Sequence, residues 1–206
     1  NAILARHVAH GVVFHTDSEA MEIVGNSKVE AVKLKDGQRL PADLVLVGIG
    51  VSPATDPFAG LPMEKDLSLQ VDGGMRVSEG LWAAGDIATF PFNGQPQRIE
   101  HWRLAQQHAR IAAANMLGGD EHYLDVPYFW TWHFGQNYDY LGHAQDWDEV
   151  EFKGDPYHPP FIGLFGKNGV VAAAIACEEE RAMAMLAERM KQPLPVDEAW
   201  RLIRDV

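Results

Sequence analysis

A mixed α/β fold followed by an α+β segment is what this 206-residue sequence predicts, and three observations predict it. Residues 44–47 read Leu-Val-Leu-Val, an uninterrupted apolar run of the kind that a strand covered on both faces requires. Residues 100–117 carry Leu104, His108, Ile111 and Asn115 on one helical face, and Gly118-Gly119 provides the stop. Beyond Pro127 the composition turns aromatic, in YFWTWHF at 128–134 and FIGLF at 161–165, before an acidic cluster opens a last helix. With hydrophobic residues at 47% of the total, the chain can bury a real core.

In chain order, strands are expected at 11–15, 19–24, 28–34 and 42–50. Gly25-Asn26 and Asp36-Gly37 supply the positive φ that tight hairpin turns need. Pro53, Pro57 and Pro62 mark a crossing segment. Strand signals return at 68–72 and 80–86, on either side of the turn Asp72-Gly73-Gly74. After the long helix, Asn168-Gly169 marks a hairpin leading into the apolar run of 170–176. The helix opened by Glu178, Glu179 and Glu180 puts Met183, Leu186 and Met190 on one stripe and Arg189 and Lys191 near its end, as the helix dipole favours.

Charge and cysteine content exclude several function classes. A formal net charge of −12 argues against nucleic-acid and anionic-membrane binding, both of which need clustered Lys and Arg. No stretch reaches the roughly 18 apolar residues of a membrane span, and residues 1–10 lack a secretory signal, so a cytoplasmic or mitochondrial location is expected. The single cysteine, Cys177, can form neither an internal disulfide nor a CxxC pair, so redox chemistry here must come from a bound cofactor. His7 and His10 have no third ligand at helical spacing, and no metal site is expected.

The chemistry concentrates at 81–88, LWAAGDIA, an apolar strand ending in Ala-Gly-Asp. A small residue and a glycine let a ligand approach the backbone, and the Asp86 carboxylate would stand at the strand's C-terminal edge, where α/β sheets bind ligands. An Asp capping a turn gives the same short pattern; the order of its neighbours is what discriminates. VGIGVSPAT at 47–55 precedes it, and RIEHW at 98–102 opens the long helix about a dozen residues after it.

In that order these motifs resemble the two-dinucleotide-fold flavoprotein reductases. Among them, PYFWT at 127–131 is similar to the start of the last domain in the ferredoxin-reductase and apoptosis-inducing-factor-like branch. The disulfide-reductase branch fits less well, because His158-Pro159 is followed by Pro160 rather than by its His-Pro-Thr motif. The resemblance implies that residues 1–50 end a nicotinamide-nucleotide domain, 51–120 return to an FAD domain, and 121–206 form an α+β C-terminal domain. It implies FAD and NAD(P)H as cofactors and a ferredoxin-like electron acceptor. The alternative it leaves is a redox-controlled interaction protein of the apoptosis-inducing-factor type.

Carried over by residue, the resemblance makes Asp86 the acceptor for the ribityl hydroxyls of FAD. His101 and Trp102 would offer backbone N–H groups to the flavin pyrimidine edge, and Trp130 would wall the ring. Glu100 would accept a hydrogen bond from the nicotinamide carboxamide, and Gly50 would let the nucleotide lie close to the backbone. On the residues alone, Glu100 is equally a first-turn helix charge, and Trp130 shares its strand face with Trp132. The GxGxxG loops that hold both diphosphates in this family do not occur, since Gly48, Gly50 and Gly60 have the wrong spacing. The chain by itself is therefore expected to hold no stoichiometric FAD and to be inactive. Its unpaired edges near Val45 and Val47 are expected to be covered by a second copy, as a homodimer, or by an N-terminal half.

Overall fold

The Gly25-Asn26 and Asp36-Gly37 turns shape the first sheet of the computed structural model, which describes residues 2–204. Helix α1 (Ala2–Ala9) precedes it. Strands β1 (Ala20–Gly25), β2 (Val29–Leu34) and β3 (Arg39–Pro41) pair in that order, all antiparallel. A Cβ at Gly25 would collide with the Lys28 carbonyl oxygen, so only glycine fits this turn. This sheet belongs to one of two compact units, Ile3–Val51; the other begins at Ser52. Among the described residues of the first unit, only Ala31 and Leu34 are buried.

Two expected strands of this unit are absent. Residues 12–15 and 44–50 join no ladder, and Leu46 and Ile49 are 91% and 93% exposed. The physical reason is the lack of a neighbour. A strand needs an adjacent backbone for its N–H and C=O groups, and no described segment pairs with either stretch.

In the second unit, β4 (Leu69–Gln70) runs parallel to β7 (Ala88–Phe92), which pairs in turn with β8 (Gln95–Gln97). Between them lie β5 (Arg76–Ser78) and β6 (Leu81–Trp82), a separate antiparallel hairpin. The signals at 68–72 and 80–86 thus do not pair with each other. The Asp72 carboxylate accepts bonds from the N–H groups of Gly74 and Arg76, 2.9 Å each, and turns the chain early into the β5–β6 hairpin.

Helix α2 (Trp102–Met116) buries Leu104, His108 and Ala112. His101 is its N-cap, accepting a bond from the Arg103 N–H at 3.3 Å. At the other end Gly118 adopts φ +89°, the left-handed conformation that terminates the helix. Asn115 ties that end down: its Nδ2 donates to the carbonyls of Gly74 and Glu121, and its Oδ1 accepts from Glu121 N–H.

A five-stranded antiparallel sheet follows, built from β9 (Tyr128–His133), β10 (Gln136–Gly142), β11 (Glu149–Asp155), β12 (His158–Lys167) and β13 (Val170–Cys177). Its order is β11-β12-β13-β10-β9. The β12–β13 turn has Asn168 at φ 52° and Gly169 at φ 75°, both positive as the Asn-Gly signal demands. Helices α3 (Glu180–Arg189) and α4 (Val196–Leu202) pack on β13, and Met183 and Leu186 of α3 are buried as the stripe predicts. One continuous core joins Phe90 and Leu104 to Leu141, Ile162, Leu164 and Leu186.

Candidate functional site

The Ala-Gly-Asp segment does not end a strand. Strand β6 stops at Trp82, and Gly85–Ile87 forms a 3₁₀ turn with Gly85 at φ +78°. A Cβ on Gly85 would stand 2.9 Å from the Ala105 methyl, so glycine brings this turn against α2. Asp86 is exposed at the turn, and its backbone oxygen accepts a bond from Arg98 Nη1 at 3.2 Å. No donor among the described residues is bonded to its carboxylate.

Arg98, Ile99, Glu100 and His101, which lead into α2, line a cleft of about 350 Å³ with Phe129 and His143. The His101 ring lies 4.4 Å from Phe129, centroid to centroid. Burial, and then the Arg103 cation, push its pKa down, while the Asp86 carboxylate acts in the opposite direction. Burial also lowers the pKa of His143. Both imidazoles are thereby biased toward the neutral form. Glu100 Oε1 accepts a bond from Arg98 Nη1 at 2.6 Å.

Trp102 and Trp130 stand together, 59% and 39% exposed, with ring centroids 6.0 Å apart and nearly perpendicular. The Arg103 guanidinium lies 5.5 Å from the Trp130 ring and 5.6 Å from Tyr128. Tyr128, Trp130 and Trp132 share one face of β9 by strand alternation, and Trp132 is the most exposed of the three, at 64%. Of the two tryptophans, Trp130 is the one set against α2, beside Trp102 and Arg103. Burial, followed by Asp139, raises the Tyr128 phenol well above its ordinary pKa.

The structure therefore brings Asp86, Glu100, His101, Trp102 and Trp130 to the N-terminal end of α2. Gly50 belongs to the other compact unit; its φ of +99° requires glycine there, and a Cβ would meet nothing within 4 Å. Sequence reasoning missed Arg98, Phe129 and His143. Arg98 had a signal, since Arg-Ile-Glu alternation in an extended segment puts it on the same side as Glu100. His143 had none.

These residues fit a flavin. An unbonded carboxylate, a helix end with outward N–H groups, and two exposed tryptophans offer together a hydroxyl acceptor, an anion-favouring edge and an apolar wall.

Residues 1–109 match the family described as pyridine nucleotide-disulphide oxidoreductase, and the chain belongs to that family. Its members are FAD-dependent NAD(P)H oxidoreductases. Human apoptosis-inducing factor 3 is 32% identical over 184 residues, covering 86% of this chain and 30% of that protein. The ferredoxin–NAD(+) reductase component of the anthranilate 1,2-dioxygenase system from Burkholderia cepacia is 33% identical over 174 residues, covering 82% of this chain and 43% of that protein. The chain thus spans less than half the length of both. Among solved structures, the ferredoxin reductase for the CYP199A2 system of Rhodopseudomonas palustris has a TM-score of 0.82 at 26% identity, covering 96% of this chain and 50% of that one. The mixed α/β fold is that of FAD- and NAD-binding oxidoreductases.

Proposed function

We propose that this chain is part of a flavoprotein in which NAD(P)H reduces FAD and the electrons pass to an iron–sulfur protein of the ferredoxin class. The observation that carries this reading is the meeting of Asp86, Glu100, His101, Trp102 and Trp130 around the N-terminus of α2. Similarity to a ferredoxin–NAD(+) reductase component supports the acceptor class. Residues 1–50 are assigned to the nicotinamide-nucleotide domain, 51–120 to the FAD domain and 121–206 to an α+β C-terminal domain.

Bound FAD would supply the redox chemistry, accepting hydride from NAD(P)H as an electron pair and releasing electrons one at a time. The chain's own residues bind, orient and exclude water. Asp86 accepts hydrogen bonds from the ribityl hydroxyls, and as an ionised acceptor it makes them stronger than neutral ones. The N–H groups at the N-terminus of α2, of the N-cap His101 and of Trp102, favour negative charge at the pyrimidine edge. Glu100 accepts from the nicotinamide carboxamide. Trp130, with Trp102 beside it, keeps water from the ring. Hydride transfer needs no protein base, and none is assigned.

Steady-state kinetics of the flavin-loaded protein that carries this chain test the reading. Reduction of a ferredoxin well above the rate to oxygen is expected; turnover at or below the oxygen rate sinks it. Trp130→Ala should speed reoxidation of the reduced protein by oxygen, and Trp132→Ala should not. The reverse result would move the wall to Trp132.

A further inference from the structure

Arg98, in the segment between β8 and α2, is held at three points. Its Nε donates to Asp66 Oδ2 at 2.6 Å, and its Nη1 donates to Glu100 Oε1 at 2.6 Å and to the Asp86 backbone oxygen at 3.2 Å. The guanidinium thereby joins the loop before β4, the 3₁₀ turn after β6 and the approach to α2. Its side chain is only 20% exposed.

The Asp66 anchor is itself fixed to the core. Asp66 Oδ1 accepts from the Ser68 N–H at 3.1 Å and from its hydroxyl at 2.7 Å, and Ser68 Oγ lies 2.6 Å from Thr89 Oγ1 in β7. Ser68 and Thr89 are both buried. A line of bonds thus runs from the interior of the sheet to the guanidinium. The Ser68 hydroxyl first, with Arg98 contributing, holds the Asp66 carboxyl below its ordinary pKa and so keeps the anchor ionised.

A guanidinium is planar, and its donors point in fixed directions. With Nε pinned to Asp66, the positions that Nη1 can serve are set, and both are occupied here. Glutamate has several rotatable bonds and in water would sample many orientations; the bond to Arg98 selects one. The bond to the Asp86 oxygen fixes the backbone from which the exposed carboxylate projects.

We propose that Arg98 is a positioning residue that serves both cofactor subsites at once, holding the Asp86 turn at the flavin side and aiming the Glu100 carboxylate at the nicotinamide side. The inference rests on the roles given above to Asp86 and Glu100, and adds the group that ties them into one unit. All three Arg98 bonds run to protein atoms, so it acts through Asp86 and Glu100. Its loss should move two properties together that a single ligand-facing residue would move separately.

The test uses the flavin-loaded protein that carries this chain, with variants R98A, R98K, E100Q and the double variant R98A/E100Q. KM and kcat for NAD(P)H and the rate of FAD loss are measured in each. E100Q should raise KM for NAD(P)H about tenfold, as expected for one charge-assisted hydrogen bond, with FAD retained. R98A should raise KM by a similar factor and also release FAD faster, with kcat less affected than KM. In the double variant KM should be no higher than in R98A, because Glu100 is already unaimed. R98K, with a single nitrogen in place of the fork, should recover at most one of the two properties. Asp66→Asn, which weakens the anchor without facing a ligand, should give the same paired shift in smaller measure and serves if R98A does not fold. A readout without cofactor is the Arg98 Nε–H proton: it should exchange slowly in the chain alone and quickly in D66N. Wild-type KM and FAD retention in folded R98A would overturn the inference, as would KM effects that multiply in the double variant. An unchanged KM in E100Q would instead remove the nicotinamide role of Glu100, and the coupling with it.

Discussion

Residues 44–51 and the middle of strand β12, residues 161–165, are both apolar runs, yet one is exposed and the other is core. Leu46 and Ile49 are 91% and 93% exposed, whereas Ile162 and Leu164 are each at 1%. Hydrophobicity does not separate them; neighbours do. β12 has β11 on one side and β13 on the other, and its buried side chains join the same core as those of α3. The stretch 44–51 has no ladder partner among the described residues. An apolar run therefore states what a segment needs, and the topology states whether the need is met.

The largest effect should come from the covered strand. Leu164→Ala removes a side chain held between two strands and a helix layer, and should cost about 2–5 kcal/mol in chemical denaturation of the chain. A loss below 1 kcal/mol would mean that β12 is not core, and the contrast would fail.

Next in size is a polar group trapped in that same core. His108 is 1% exposed, its ring packs edge-on against Phe90 and Tyr123 at 4.5 Å and 5.1 Å, and neither ring nitrogen has a partner among the described residues. Burial lowers its pKa from 6.5 to about 4. The unfolded chain thus takes up this proton before the folded one does. The stability contribution is complete above pH 6.5 and is lost as the pH falls toward about 4. The loss should be on the order of 3 kcal/mol. Denaturation between pH 7 and pH 4 should show it, and His108→Phe, which fills the site without a titrating group, should flatten that part of the profile. An equally steep profile in His108→Phe would assign the loss elsewhere.

Asp86 sharpens the comparison differently, because it is exposed where a ligand is expected rather than where a strand partner is lacking. In the flavin-loaded protein, Asp86→Ala should weaken FAD retention by roughly 1.5–3 kcal/mol, the worth of hydrogen bonds to an ionised acceptor. Equilibrium dialysis against free FAD measures it. Unchanged retention would make the Ala-Gly-Asp turn structural only.

The smallest effect should come from the exposed run. Leu46→Ser and Ile49→Ser should each change the melt of this chain by less than about 0.5 kcal/mol, since neither side chain is withdrawn from water. A loss comparable to that of Leu164→Ala would show that the run is covered in solution.

Several features were legible because their causes are local. The β12–β13 hairpin is written in Asn168-Gly169, and α2 in its apolar stripe and its terminal glycines. Helix α3 is equally legible in its stripe and charge order. What the sequence hid depends on partners distant along the chain. Residues 11–15 have strand composition and no ladder, while β11, with the sequence EVEFKGD, is polar and mostly exposed yet pairs along its whole length with β12. The β9–β10 turn uses Phe134 and Gly135 at φ 51° and 82°, and phenylalanine is no turn signal. At the site, the Asp86 turn and the α2 approach carry recognisable motifs. The Arg98 bond between them spans 12 residues and follows from no local pattern.

Asn115 has a mechanical consequence. Helix α2 carries the proposed ring-facing N–H groups at one end and is riveted at the other, where one amide grips Gly74 and Glu121 at three points. A helix of 15 residues is a strut about 22 Å long, stiff along its axis. With its far end bolted, the strut can neither advance nor withdraw without shearing that joint. The setting of the N-terminus relative to the cleft is thus fixed at a distance, by a side chain a full helix length away.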